Sequence, residues 1–151
     1  RQSVNAVAAG MPLKISATFC ESKLSFLIDT ESTISSIPYD SVKYCNLRPS
    51  GLTLTNTSGT NIKCYGELDA HISILSIRRN FQWTFVVDDV VQPILGLDFL
   101  SNYSLLIDYS NNSLVDSVTQ SKVLLQCAGV KSHTYSIGLD TIDDRAKIIF
   151  I

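Results

Sequence analysis

An all-β domain is the fold class this sequence predicts, and three observations predict it. Apolar and polar residues alternate with a period of two over several stretches, as in Leu13-Lys14-Ile15-Ser16-Ala17-Thr18-Phe19. Ile, Val, Thr and Ser are abundant and Met occurs once, a composition that fits pleated, half-buried surfaces. At 151 residues, 45% of them hydrophobic, the chain suits one domain that can bury roughly 70% of its unfolded surface without disulfides or metal.

Residues 1–12, small and closed by Gly10 and Pro12, are expected to be a linker in a chain cut from something longer. Leu13, Ile15, Ala17 and Phe19 line one face of a first strand running to Cys20. Glu21-Ser22-Lys23 is expected to turn, and Leu24 to Ile28 to return as a strand buried on both faces. The polar run Asp29-Thr30-Glu31-Ser32 interrupts it. Extended structure resumes over Ile34–Ile37, and Pro38 suits the first turn of a short helix over residues 39–44. Pro49-Ser50-Gly51 turns the chain. Leu52–Asn56 and Asn61–Tyr65 are expected to form a hairpin with Thr57, Ser58, Gly59 and Thr60 at a mobile tip. Leu68, Ala70, Ile72 and Ile74 mark a long strand, Arg78-Arg79-Asn80 a turn, and Phe81, Trp83, Phe85 and Val87 the strand after it. Pro93-Ile94-Leu95-Gly96 is apolar, and Asp98 is expected to cap a second short helix ending near Tyr103. Leu105–Ile107 and Leu114-Val115 form a last hairpin. Beyond Asp116 the pattern weakens, so 119–151 is expected to be an extension or linker leading to a following domain.

Composition also excludes functions. Twelve Lys+Arg against 14 Asp+Glu, a net charge of -2, leave no basic surplus for phosphate contacts, so no nucleic-acid partner is expected. No apolar run approaches the roughly 20 residues a membrane helix needs, so no membrane partner is expected either. Cys20, Cys45, Cys64 and Cys127 are far apart and form no C-x-x-C pair. They are expected to be buried or half-buried free thiols, with no metal and no cofactor. No nucleophile elbow, Walker-type loop or dinucleotide loop occurs, and neither His71 nor His133 has a recognisable nucleophile beside it.

One carboxylate stands where polarity is costly. Asp29 ends a predicted buried strand, after Phe26-Leu27-Ile28, where an unassisted charge loses hydration. A turn-capping Asp is the plain reading; a general acid/base is the functional one. A lone Asp cannot serve as both acid and base, so the functional reading requires a partner carboxylate. No other acidic residue of the chain has this setting.

These residues carry a resemblance. The segment from Phe26 to Pro38, with Asp29-Thr30-Glu31-Ser32 at its centre, resembles the active-site segment of retropepsin-like aspartic proteases. Pro93 to Leu100 is similar to that family's second signature, an apolar pair and Gly before a short helix. The stretches 78–87 and 105–108 are similar to proteases of Ty3/gypsy-type LTR retrotransposons. Together the four segments span about residues 13–118, which is the protease domain the resemblance implies.

The resemblance implies a closed all-β barrel of the acid-protease type with one or two short helices, acting on a polypeptide substrate as a homodimer. Each chain would give one catalytic Asp29, and Thr30 would brace the two active-site loops across the two-fold axis. Thr57, Ser58, Gly59 and Thr60 would form a flap over an extended peptide, and Ile94, Leu95 and Gly96 would pack beneath the loop. The expected setting is a Gag-Pol-type polyprotein and an intracellular location, cytoplasmic or in a virus-like particle.

The sequence departs from the family at Glu31, where the family has Gly. Gly has no Cβ and tolerates unusual backbone angles. Glu31 adds a side chain and a second negative charge beside Asp29, so a dimer would gather up to four carboxylates at one axis. The implied consequence is impaired catalysis, and the alternative function is an inactive dimerisation or peptide-binding module.

Overall fold

Alternation in the sequence becomes pleat in the structure. The computed structural model describes residues 12–127. In β1 (Leu13–Phe19) Leu13, Ile15, Ala17 and Phe19 are buried while the residues between them face outward. β2 (Ser22–Asp29) pairs with it over its whole length, Phe19 opposite Ser22. Only Cys20 and Glu21 lie between the two strands, both at positive φ (48° and 74°), as a two-residue hairpin turn demands. The turn therefore comes one residue earlier than expected, and Ser22 and Lys23 belong to the strand. In β2 Phe26 and Ile28 are buried but Leu27 is only half-buried, so the apolar run is not covered equally on both faces.

β3 (Ser36–Pro38) runs parallel to β7 (Asn80–Asp88), and β8 (Ile94–Gly96) runs parallel to β2. β6 (Cys64–Ile74) pairs antiparallel with β7 and, at Ile72–Ile74, with the end of β1. The order β1-β2-β8-β3-β7-β6, returning to β1, closes a barrel of six strands. Closure removes the open edges that a flat sheet exposes. Phe19, Phe26 and Phe85 meet inside it with ring centroids 5.4–6.2 Å apart, a favourable range for aromatic packing.

Pro38 ends β3 with extended angles (φ −63°, ψ 139°) and is the cap residue of α1 (Tyr39–Val42), not part of its first turn. A proline φ serves either conformation, and pairing with β7 keeps the extended one. The hairpin is shorter than expected: β4 (Leu54–Thr55) and β5 (Asn61–Ile62) form their own small sheet. Tyr65 belongs instead to β6, as the extra residue of a bulge between Cys64 and Gly66. Gly66 sits at φ 144°, and a Cβ there would come 2.5 Å from the Arg48 carbonyl oxygen. That closeness allows Arg48 and Glu67 to exchange backbone hydrogen bonds of 2.9 and 2.8 Å.

Helix α2 (Leu97–Asn102) follows β8 and packs Phe99 against Phe81 and Trp83. β9 (Leu105–Asp108) and β10 (Ser113–Asp116) form the last expected hairpin. Within 119–127 two more strands follow: β11 (Lys122–Leu124) pairs with β10, and β12 (Gln126–Cys127) pairs with the start of β1. The linker expected at 1–12, except its last residue, and the extension from 128 onward lie outside the described residues. All four cysteines are free, but Cys20 and Cys45 are exposed, not buried: one sits in the tight turn, the other just past α1. Among the described residues no helix is long and apolar enough to cross a membrane.

Candidate active site

Two parallel strands place Asp29. β2 and β8 run side by side with Asp29 opposite Gly96, and the chain then leaves β2 in a tight loop. Asp29 is half-buried, Thr30 and Glu31 are exposed, and Ser32 is half-buried. The loop is held by its own backbone. The Glu31 N–H donates to Asp29 Oδ1 at 3.0 Å, and the Ser32 N–H donates to the Asp29 carbonyl at 3.1 Å. Ser32 Oγ donates to the Ile34 carbonyl at 2.7 Å, and the Leu97 N–H donates to the Ser32 carbonyl at 2.7 Å. The carboxylate is thus oriented by a main-chain donor, with its second oxygen Oδ2 left for other partners.

Ile94 is half-buried, while Leu95 and Gly96 are buried against this loop. A Cβ on Gly96 would come 2.7 Å from the Ser32 carbonyl oxygen and 2.8 Å from that of Ile34. Only a hydrogen at this position lets β8 approach the loop so closely. Thr57, Ser58, Gly59 and Thr60 are all exposed at the tip of the β4–β5 hairpin, and Gly59 takes φ 85° there. Asn56 organises the tip: its Oδ1 accepts from the Ser58 N–H (3.0 Å), Ser58 Oγ (2.7 Å) and the Thr60 N–H (3.0 Å). Among the described residues no hydrogen bond joins this hairpin to the Asp29 loop.

Glu31 fits the loop more easily than its family contrast suggests. Its φ is not positive, so the backbone here does not demand glycine. Its side chain is exposed, and its main-chain N–H still serves Asp29. Within one chain the extra side chain meets no steric penalty.

Sequence reasoning missed the braces behind the loop. Ser35 is fully buried; its Oγ donates to Asp98 Oδ1 (2.7 Å) and accepts from the Gly96 N–H (2.8 Å), while its own N–H donates to Asp98 Oδ2 (3.1 Å). Asp98 is therefore not a helix cap in the expected sense. It is the second residue of α2, the cap position is Gly96, and its carboxylate ties the loop to the helix while also accepting from the Phe99 N–H. Beside it Ser36 Oγ donates to buried Asp88 at 2.9 Å. Burial pushes the Asp88 carboxyl above the usual carboxylate range, and hydrogen bonds from Ser36 and the Val90 N–H offset that only in part. The available signal was the pair Ser35-Ser36 between Ile34 and Ile37, two hydroxyls in an otherwise apolar strand.

Among the described residues no group of His, Cys, Asp and Glu is arranged to hold a metal ion. The arrangement offers one oriented carboxylate per chain at the edge of a closed barrel.

No family model and no curated protein sequence matches the chain. Solved structures do. The retroviral protease-like domain of Ddi1 from Leishmania major superposes with a TM-score of 0.61 at 17% identity, covering 78% of this chain and 94% of that one. EIAV protease, in complex with the inhibitor HBY-793, gives 0.50 at 19% identity, covering 60% of this chain and 86% of its own. At these identities the likeness speaks for the fold, and with the six-stranded barrel and two short helices it leads to one statement: the chain has the retropepsin-like aspartic protease fold.

Proposed function

We propose that this chain is an aspartic endopeptidase domain that works as a homodimer, with one Asp29 from each copy at a shared site. The observation that carries the reading is the half-buried Asp29 carboxylate at the end of β2, oriented by the Glu31 N–H and backed by Gly96. Two such carboxylates close together share one proton, because both cannot ionise easily. The ionised one takes a proton from water as the water attacks the scissile carbonyl carbon, and the protonated one gives its proton to the carbonyl oxygen. Collapse of the tetrahedral intermediate then passes a proton to the leaving amine. The β4–β5 hairpin, uncharged from Leu52 to Ile62 and exposed at its tip, is suited to close over an extended peptide.

The finer setting is the processing of a Gag-Pol-type polyprotein of a Ty3/gypsy-type retrotransposon, inside the cell or a virus-like particle. Its support is the similarity of residues 78–87 and 105–108 to those proteases. Cleavage of a peptide library by the natural chain at acidic pH, sensitive to statine-type transition-state mimics and lost in Asp29→Asn, tests the catalytic reading. Asp29→Asn protein as active as its parent refutes it. Peptide binding without cleavage points instead to a non-catalytic module.

A further inference from the structure

The catalytic reading leaves Glu31 unused, although it is two residues from Asp29. Its side chain is exposed, and among the described residues its carboxylate has neither a hydrogen-bond nor an ion-pair partner. The charged groups that do form ion pairs or cation–π contacts among the described residues use other partners. Arg48 is held by Glu67 and Asp69, and Arg79 by Asp116. Lys63, just past the hairpin, lies over the Tyr65 ring at 4.7 Å. Asp98 is turned onto Ser35. The hairpin from Leu52 to Ile62 has no ionisable side chain. The loop that carries the reacting carboxylate therefore presents a second, uncompensated negative charge to whatever peptide lies along it. Hydrogen bonds at Asp29, Ser32 and Leu97 hold the backbone from which this side chain projects.

Resting on the catalytic reading, we propose that Glu31 is a specificity-determining residue that selects peptides with a lysine or arginine within two residues of the scissile bond. An extended peptide advances about 3.3 Å per residue, so a side chain one or two positions from the reacting carbonyl reaches the neighbourhood of Glu31. A two-fold axis supplies one Glu31 to each side of the bond. The attraction is between a solvent-accessible pair and is worth about tenfold in kcat/KM, with salt screening it strongly once the Debye length falls to about 3 Å in 1 M salt.

The test compares two peptides that differ only in Lys against Gln beside the scissile bond, with natural chain, Glu31→Gln and Glu31→Lys. The expected kcat/KM ratio, Lys over Gln, is about ten for the natural chain, about one for Glu31→Gln and below one for Glu31→Lys, and the natural preference shrinks in 1 M salt. A merely structural Glu31 lowers cleavage of both peptides equally and leaves the ratio near ten in Glu31→Gln, which overturns the proposal. If the natural chain cuts neither peptide, the catalytic reading fails by itself. Binding of the same two peptides, measured by fluorescence anisotropy, then decides the Glu31 proposal: a preference for Lys lost in Glu31→Gln upholds the selection, and equal binding refutes it.

Discussion

Gly96→Ala is the substitution whose effect follows most directly from the structure. A methyl group at Gly96 meets the Ser32 carbonyl oxygen at 2.7 Å, the Ile34 carbonyl oxygen at 2.8 Å and the Ile34 carbonyl carbon at 2.9 Å. All three are backbone atoms, so no flexible side chain can swing aside. Normal carbon contacts are about 3.5 Å or more, so β8 and the 32–34 segment must separate by about 0.6–0.8 Å. Overpacking of this kind costs about 1–3 kcal/mol, which for a domain of this size lowers Tm by about 4–12 °C. The same shift moves the loop that orients Asp29, so kcat should fall by at least about tenfold, given that a 1 Å misplacement can cost about a hundredfold. Gly51→Ala is the internal control, since a Cβ there meets nothing within 4 Å; its stability should stay within about 0.5 kcal/mol of the parent. Thermal unfolding by circular dichroism and peptide cleavage read both quantities. A Gly96→Ala protein that melts within a degree of the parent would refute the close approach of β8 to the loop.

Further outcomes follow from the braces and the hairpin. Ser35→Ala leaves the Gly96 N–H without its acceptor and removes one of the three donors to Asp98, and should cost about 1–3 kcal/mol in denaturant unfolding. Arg79→Ala leaves fully buried Asp116 without its 2.7 Å ion pair, which should cost about 3–5 kcal/mol, relieved in the Arg79→Ala, Asp116→Asn double variant. Burial raises the Asp116 carboxyl, but hydrogen bonds from the Val118 N–H, Thr119 and Arg79 outweigh it and hold it below the usual range. Its stabilisation is therefore present above the unfolded value of about 3.9 and lost as pH falls through the folded one, so Asp116→Asn should flatten the acid limb of the stability–pH curve. Asp88, pushed up by burial, has the opposite sign: the native state binds its proton more tightly, and its contribution declines as pH rises from about 3.9 through the raised value, a decline absent in Asp88→Asn. Asn56→Ala removes three hydrogen bonds from an exposed tip, and should lower kcat/KM several-fold while Tm stays within a few degrees.

The strands were legible because their signal is local. The alternation of Leu13 to Phe19 and of Phe81 to Val87 states which face is buried without reference to any partner. Asp29 was legible for a similar reason, as a charge at the end of an apolar run. What stayed hidden depends on neighbours distant in sequence. Asp98 looks like a helix cap until Ser35, 63 residues away, is brought against it. Asp116 falls where the pattern fades, yet it is wholly buried, with Arg79 reaching it from the turn before β7. β11 and β12 have too few alternating residues to stand alone and are strands only because β10 and β1 offer them edges. Glu31 could be compared with a family pattern in the sequence, but whether its backbone was strained needed the loop itself.

The central claim is that each copy supplies half of one active site. Subunit mixing tests it most directly. Natural and Asp29→Asn chains are unfolded, mixed 1:1 and refolded at constant total concentration, and cleavage of one peptide is measured. Random pairing leaves about one quarter of the dimers with two natural Asp29 residues, so the account predicts about one quarter of the activity of pure natural protein. About one half would mean that a single chain holds a complete site, and would contradict it.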